Sequence, residues 1–291
     1  MPIINSLDLS KLSNLRFNVR HVVEGLLTGL HSSPYKGQSL EFAQHREYSQ
    51  GDELRHIDWK VFARSDKFFI KQFQDETNLR AYILLDSSGS MKYRSGKHPT
   101  KLNYAAHVAA ALSYLLLKQE DAVSLSAFDT SLRFYLPPNH QITQLQNVMN
   151  KLETLEPGGE TAIDDVLKGF GRHLRRRGLI ILISDLLTDP QNLMKMLRYF
   201  RARHHEIMVL QVLDPQEMDF SFAGENTFVQ LEGNSEISAD SDSVRNEYRK
   251  LIRKFLEEYK QGFKRSKIEY SLITTDTPLE KALASALRFG K

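Results

Sequence analysis

The chain contains no cysteine, which excludes disulfides, thiolate metal sites and thiol chemistry and fits a reducing compartment. It also has little net charge. The 39 lysines and arginines against 36 aspartates and glutamates leave a formal +3, too small a bias to make a nucleic acid or an anionic membrane the main partner. Long apolar runs are missing as well. The longest, Ala105 to Leu117, is broken by His107 and Ser113 and is too short for a bilayer, and the N-terminus lacks a basic-then-apolar signal pattern. The expectation is a cytoplasmic protein that reaches a membrane only through a partner. Enzyme signatures are absent too: there is no Walker-type Gly-Lys-Ser loop, no Gly-x-Ser-x-Gly elbow and no His-Glu-x-x-His helix. What is present is a globular composition. In 291 residues, 41% hydrophobic and 26% charged, there is enough chain for one large domain or two, without internal repeats or low-complexity tracts.

Composition shifts near residue 78, which divides the chain into a segment 1–78 packed on a main domain 79–291. In the first part Val19, Val22, Val23, Leu26, Leu27 and Leu30 recur at helical spacing, and Gly29 with His31-Ser32-Ser33-Pro34 supplies a stop. Leu40 to Tyr48 and Phe68 to Phe73 read as strands, and 53–64 as helical or irregular. From residue 79 strands and helices alternate, the pattern of a parallel sheet covered on both faces. Strands are expected at 79–85, 122–128, 132–136, 179–183, 207–213 and 268–273, with a peripheral one around Val229 and Leu231. Helices are expected at 100–118, 140–155, 162–174, 190–203, 244–263 and 278–287.

In such sheets ligands bind beyond the carboxyl ends of the strands, where strand order reverses. Three loops fall at that edge. Asp86-Ser87-Ser88-Gly89-Ser90 follows the apolar run Ala81–Leu85; Gly158-Gly159-Glu160-Thr161 precedes a helix; Ser184-Asp185 follows Leu179–Ile183. Small oxygen ligands at alternate positions of a tight turn can be aimed at one point, and oxygen without nitrogen or sulfur selects Mg²⁺, Ca²⁺ or Mn²⁺ over zinc or copper. Each residue also has a plainer role. Asp86 and the serines favour turns and helix starts, Thr161 could cap the following helix, and Asp185 could open a turn completed by Asp189-Pro190.

Asp86-x-Ser88-x-Ser90, Thr161 in a Gly-rich loop and Ser184-Asp185 after an apolar strand resemble the metal-ion-dependent adhesion site of von Willebrand factor A domains. The N-terminal part resembles the bacterial domain of unknown function 58 family through Gly37-Gln38-Ser39-Leu40-Glu41-Phe42, Arg46-Glu47-Tyr48, Gly51-Asp52-Glu53-Leu54-Arg55-His56-Ile57-Asp58-Trp59 and Ala63-Arg64. Together these resemblances cover nearly the whole chain. They imply an α/β fold with a von Willebrand factor A-like (Rossmann-like), mostly parallel sheet flanked by helices, preceded by a family-specific α+β segment. They imply further a non-enzymatic cytoplasmic adaptor working with a MoxR-type AAA+ ATPase in assembling, maturing or activating a client protein. Ser88, Ser90 and Thr161 are then hydroxyl ligands of a cation, with Asp86 and Asp185 ligating directly or through water. One departure from the family pattern is Glu160 beside Thr161, a carboxylate able to approach the ion itself and take its open position.

The charge arithmetic sets the expected chemistry. Two carboxylates neutralise a divalent ion and three hydroxyls add no charge, so one more anionic oxygen is attracted, and a client's Asp or Glu is the natural sixth ligand. The competing class is a Mg²⁺-dependent phosphatase or other hydrolase, because a strand ending in Asp can supply a phosphoryl acceptor. Against it, a haloacid-dehalogenase-type enzyme would carry a second Asp where Ser88 stands, and neither Ser88 nor Ser90 has a neighbouring histidine as base. No catalytic residue is assigned. Elsewhere, Arg172, Arg175, Arg176 and Arg177 read as a solvated helix end; His173, His204 and His205 read as surface residues. Arg46, Asp52, Arg55, Asp58 and Arg64 read as an internal ion-pair network, with His56 in a polar junction.

Overall fold

A computed structural model describes residues 40–48, 59–65, 68–75, 79–233 and 235–287. They fall into two compact units, one ending at Leu79 and the other resuming at Arg80, at the composition shift. In the smaller unit β1 (Leu40–Glu47) pairs antiparallel with β2 (Phe69–Asp75), with a register shift between Phe42 and Gln44. Between them lies α1 (Trp59–Ser65), whose Phe62 stacks on Phe68 at 4.4 Å. The expected helix at 19–30 and residues Asp52, Arg55, His56 and Asp58 lie outside the described residues. Arg64, assigned to an internal network, is exposed.

The larger unit is built on β3 (Arg80–Asp86), β4 (Ala122–Phe128), β5 (Leu132–Asn139), β6 (Leu179–Ser184), β7 (Glu206–Leu213) and, last in the chain, β10 (Glu269–Thr274). Their order across the sheet is β10-β7-β6-β3-β4-β5. All neighbours are parallel except β5, which returns antiparallel along β4. The chain steps from β3 to β4 on one side and later to β6 on the other, so strand order reverses between β3 and β6. That places the binding crevice at Asp86 and Asp185.

The buried strands are continuous apolar runs because both faces are covered. Tyr82, Leu84, Ile180 and Leu182 point into a core shared with α4 (Ile163–Phe170), α5 (Pro190–Ala202) and α7 (Ser241–Arg265). The alternate residues Ile83, Leu85, Ile181 and Ile183 are fully buried on the opposite face. There α2 (Lys101–Lys118) covers the sheet, started by Thr100, whose hydroxyl accepts from the Asn103 amide, and flanked by α3 (Thr143–Glu153) and α8 (Leu279–Leu287).

Three elements differ from the sequence reading. The helix expected to reach Leu174 stops at Phe170, where Gly169 and Gly171 weaken it. The single peripheral strand is a hairpin, β8 (Glu225–Val229) paired with β9 (Glu236–Asp240), and Leu231 sits in its turn. The long helix starts at Ser241 because the Asp240 carboxylate caps it, accepting from the Asp242 amide. A short α6 (Pro215–Asp219) had no counterpart in the sequence reading. No described helix is long and apolar enough to cross a membrane.

Phe263 is fully buried between Tyr259 at 5.5 Å and Tyr270 at 5.1 Å, ring on ring. Phe263→Ala is expected to cost about 3–5 kcal/mol of unfolding free energy in a denaturant titration.

Candidate functional site

Asp86, the last residue of β3, is fully buried. Its Oδ1 accepts from the Ser88 amide at 2.9 Å and its Oδ2 from the Ser184 hydroxyl at 2.6 Å. The loop is therefore not the loose surface turn that a run of Asp and Ser suggests: Ser87 and Ser88 are also fully buried. Ser87 ties it to β4, its amide and hydroxyl both donating to the Phe128 carbonyl at 2.7 and 2.9 Å. A 3-10 turn, Gly89–Lys92, then carries Ser90 back over the strand end.

The three loops meet here. The Ser88 and Ser90 hydroxyls are 3.2 Å apart, and Ser90 donates to Asp185 Oδ2 at 2.7 Å. Asp185 is held by the Gln211 amide group on its carbonyl at 2.8 Å and by the Leu187 amide on Oδ1. The residue after it, Leu186, is buried with φ of 58°, a left-handed conformation that costs a side-chain-bearing residue energy. It persists because its amide donates to Ser184 Oγ at 2.9 Å and its carbonyl accepts from the Tyr259 hydroxyl at 3.0 Å. The glycine loop docks by backbone bonds, Gly89 to the Gly159 carbonyl and Gly158 to the Ser87 carbonyl, with Gly159 at φ of 74°.

Thr161 does not cap the next helix, where Ala162 occupies the cap position. Its hydroxyl instead donates to Glu232 Oε1 at 2.8 Å, and its amide donates to Oε2 at 3.0 Å. Ser90 reaches the same Oε1 through its amide at 3.0 Å. Of the five expected residues, Ser88, Ser90 and Asp185 are thus linked in a chain, Asp86 joins through the Ser88 amide, and Thr161 through a shared oxygen of Glu232. The additional carboxylate comes from the β8–β9 turn, not from Glu160, which is exposed.

Charge is unbalanced at this point. Lys101, at the start of α2, is fully buried; its ammonium donates to Asp185 Oδ2 at 2.8 Å and Glu217 Oε1 at 2.6 Å. Burial works against its charge, but the two carboxylates outweigh that and raise its pKa. Glu217 is pushed up by burial more than Lys101 pulls it down. Burial and the facing Asp185 charge raise the Asp86 carboxyl to about 7, against the hydrogen bonds from Ser184 and Ser88. Among the described residues, Lys101 is the cation that pairs with any of Asp86, Asp185, Glu217 and Glu232. Asp185 and Glu217 share the one ammonium, no lysine or arginine among the described residues pairs with Asp86 or Glu232, and added positive charge would favour the ionised form of Asp86.

The donor set fits a hard divalent cation on that account: buried carboxylates short of counter-charge, with three hydroxyls beside them. Among the described residues no group of three His, Asp or Glu side chains could hold a metal alone, so the hydroxyls would have to complete any shell.

Lys101, Glu217 and Glu232 were not singled out in the sequence. Lys101 had a signal, since a lysine opening a helix opposes the helix dipole and needs a local reason. Glu217 stands in the capping box Asp214-Pro215-Gln216-Glu217, whose second oxygen accepts from the Asp214 amide at 2.8 Å. Glu232 carried nothing beyond the Gly233 after it. The basic cluster Arg172, Arg175, Arg176 and Arg177 is exposed, as is His204. His205 corrects the surface assignment: it is buried edge-on between the Tyr82 and Phe200 rings, and burial lowers its pKa.

Comparison with known proteins places these observations. Residues 44–258 match the model of a family described as protein of unknown function DUF58. An uncharacterized protein of Mycobacterium tuberculosis, Rv1480, is 27% identical over 218 residues, covering 74% of this chain and 68% of that protein. Among solved structures, BatB from Bacteroides thetaiotaomicron, a conserved hypothetical protein, is similar at 16% identity and TM-score 0.47 over 73% of this chain and 98% of that one. The VWA domain of SpRpn10 is similar at 12% identity and TM-score 0.44, over 70% and 93%. The larger unit itself is an α/β fold, a mostly parallel six-stranded sheet flanked by helices.

Two outcomes are expected. Lys101→Met leaves the buried Asp185 and the partly buried Glu217 uncompensated and should cost about 3–5 kcal/mol by chemical denaturation. In EDTA, stability should fall as pH rises from about 4 to 7: with its pKa at about 7 when folded against 3.8 as the ordinary value, Asp86 holds its proton in the native state through that window and loses it in the unfolded one. Asp86→Asn should flatten the fall in melting temperature.

Proposed function

The chain belongs to the DUF58 family, and on that premise we propose that it is a non-enzymatic, metal-dependent protein-binding adaptor, acting with a MoxR-type AAA+ ATPase in assembly, maturation or activation of a client protein. The observation that carries this reading is the meeting of Asp86, Ser88, Ser90, Thr161 and Asp185 at the strand-order reversal, where carboxylates outnumber the paired cation. These five residues would hold Mg²⁺, or Ca²⁺ or Mn²⁺ in its place. Bound there, the ion supplies an electrophilic position for one anionic oxygen from outside.

The chain's own residues favour docking over turnover. Both oxygens of Asp86 are taken by Ser88 and Ser184, and its side chain is sealed from solvent, a poor disposition for a phosphoryl acceptor. The Ser88 and Ser90 hydroxyls contact each other and Asp185 rather than a histidine, and the one carboxylate that accepts from Ser90 also takes the Lys101 ammonium on the same oxygen, which weakens it as a base. A client's Asp or Glu would instead be received at the rim, with geometric demand and modest affinity, as reversible docking requires.

The test pairs calorimetric Mg²⁺ titration with affinity capture of a purified MoxR-type ATPase and of lysate proteins, in Mg²⁺ and in EDTA. Asp86→Asn is expected to abolish measurable Mg²⁺ binding and, like EDTA, to release the captured partner. Capture undiminished in both conditions would remove metal-dependent docking. Mg²⁺-dependent phosphate-ester hydrolysis lost in Asp86→Asn would establish the enzyme instead.

A further inference from the structure

Glu232 belongs to neither the strands nor the loops that build the site, yet it reaches into it. Its Oε1 accepts from the Ser90 amide and the Thr161 hydroxyl, its Oε2 from the Thr161 amide. Among the described residues no lysine or arginine pairs with it. Hydrogen bonds from two amides and a hydroxyl hold its carboxyl in the charged form against burial, and it lies against two of the hydroxyl residues that would hold the cation.

The hairpin that carries it is seated on the same loop. A side chain at Gly89 would put its Cβ 2.6 Å from the Leu231 carbonyl oxygen and 3.2 Å from Glu232 Cγ, so glycine there is what lets the hairpin turn close down. The hairpin pairs with no strand of the main sheet, and isolated two-stranded hairpins are marginal in water. Its anchorage is through β8. Phe228 packs on Phe220 at 5.5 Å and Phe222 at 5.1 Å, and Asn226 donates to the Ser241 hydroxyl at 2.9 Å. Past Phe228, Val229 and Leu231 are exposed, as is Ile237 across from Phe228. The turn can therefore lift while the base stays packed.

We propose that Glu232 is a carboxylate this chain supplies to its own site, occupying the place of the incoming Asp or Glu, and that the β8–β9 hairpin is a plug which a carboxylate-bearing partner displaces. This inference rests on the metal-dependent docking reading and adds its regulation. A tethered carboxylate competes at an effective concentration of order millimolar, so a free carboxylate must exceed that, or a partner must bring further contacts, before the plug yields.

The test uses the full chain with Mn²⁺ as probe and the water-proton relaxivity of the bound ion as readout, followed by titration with acetate. Glu232→Gln should raise the relaxivity per bound Mn²⁺, because water takes the vacated position. Acetate should reverse that rise in the variant and leave wild type unchanged. Gly89→Ala retains the carboxylate but pushes the turn away, and should give the same rise. Glu236→Gln, on the exposed strand of the same hairpin, should behave as wild type. Relaxivity unmoved by Glu232→Gln, with Mn²⁺ binding still lost in Asp86→Asn, would make Glu232 a structural cap and overturn the plug alone. Absence of Mn²⁺ binding in wild type would overturn the plug and the docking reading together.

Discussion

Of the two parallel strands flanking the reversal in strand order, one ends in Asp86 and the other is followed at once by Asp185, and the fold buries both carboxylates at that rim. Like charges removed from water beside each other are costly, and much of the local architecture answers that cost. The Ser88 amide and Ser184 hydroxyl are spent on Asp86, the Ser90 hydroxyl and the Lys101 ammonium on Asp185. Lys101 is shared with Glu217, itself fixed by the capping box of α6. The position of α6, the start of α2 and the path of the Asp86 loop are bound together by this one electrostatic demand.

Most of the sheet could be read from the chain because strands buried on both faces are apolar without interruption, as at Ala81–Leu85 and Leu179–Ile183. The alternation with helices then fixed their parallel sense. The five oxygen residues were legible for a related reason: polar side chains immediately after such runs stand out, and three loops repeat the pattern. What escaped was set by contacts distant in sequence. Glu232 lies 142 residues from Ser90, in a turn whose composition is ordinary. Lys101 looks like any polar residue before an apolar helix until its burial is seen. The hairpin was mistaken for one strand because its residues are largely exposed and show no core-facing stripe. His205 was misassigned because a histidine beside another gives no sign of which one turns inward.

The plainer roles weighed for the site residues were only partly displaced. Asp189 does cap α5, accepting from the Gln191 amide, and Asp185 does open a turn, its Oδ1 accepting from the Leu187 amide, while its Oδ2 takes Lys101 and Ser90. Thr161 is not a cap at all. A residue type that suits a turn or a helix start thus says little about its partner, and the distinction lies in whether local backbone or a remote side chain takes the bond.

Helix α7 begins where the hairpin ends, and eighteen residues later Tyr259 hydrogen-bonds the carbonyls of Leu186 and Thr188, beside Asp185. Earlier on the same rod, the Tyr248 hydroxyl donates to the Glu217 carbonyl and the Arg249 side chain to that of Asp219. At about 1.5 Å of rise per residue, its first turn and Tyr259 are roughly 27 Å apart. One continuous helix therefore ties the foot of the covering hairpin to the backbone beside Asp185, so that foot is a fixed pivot and any movement of the cover is confined to its tip.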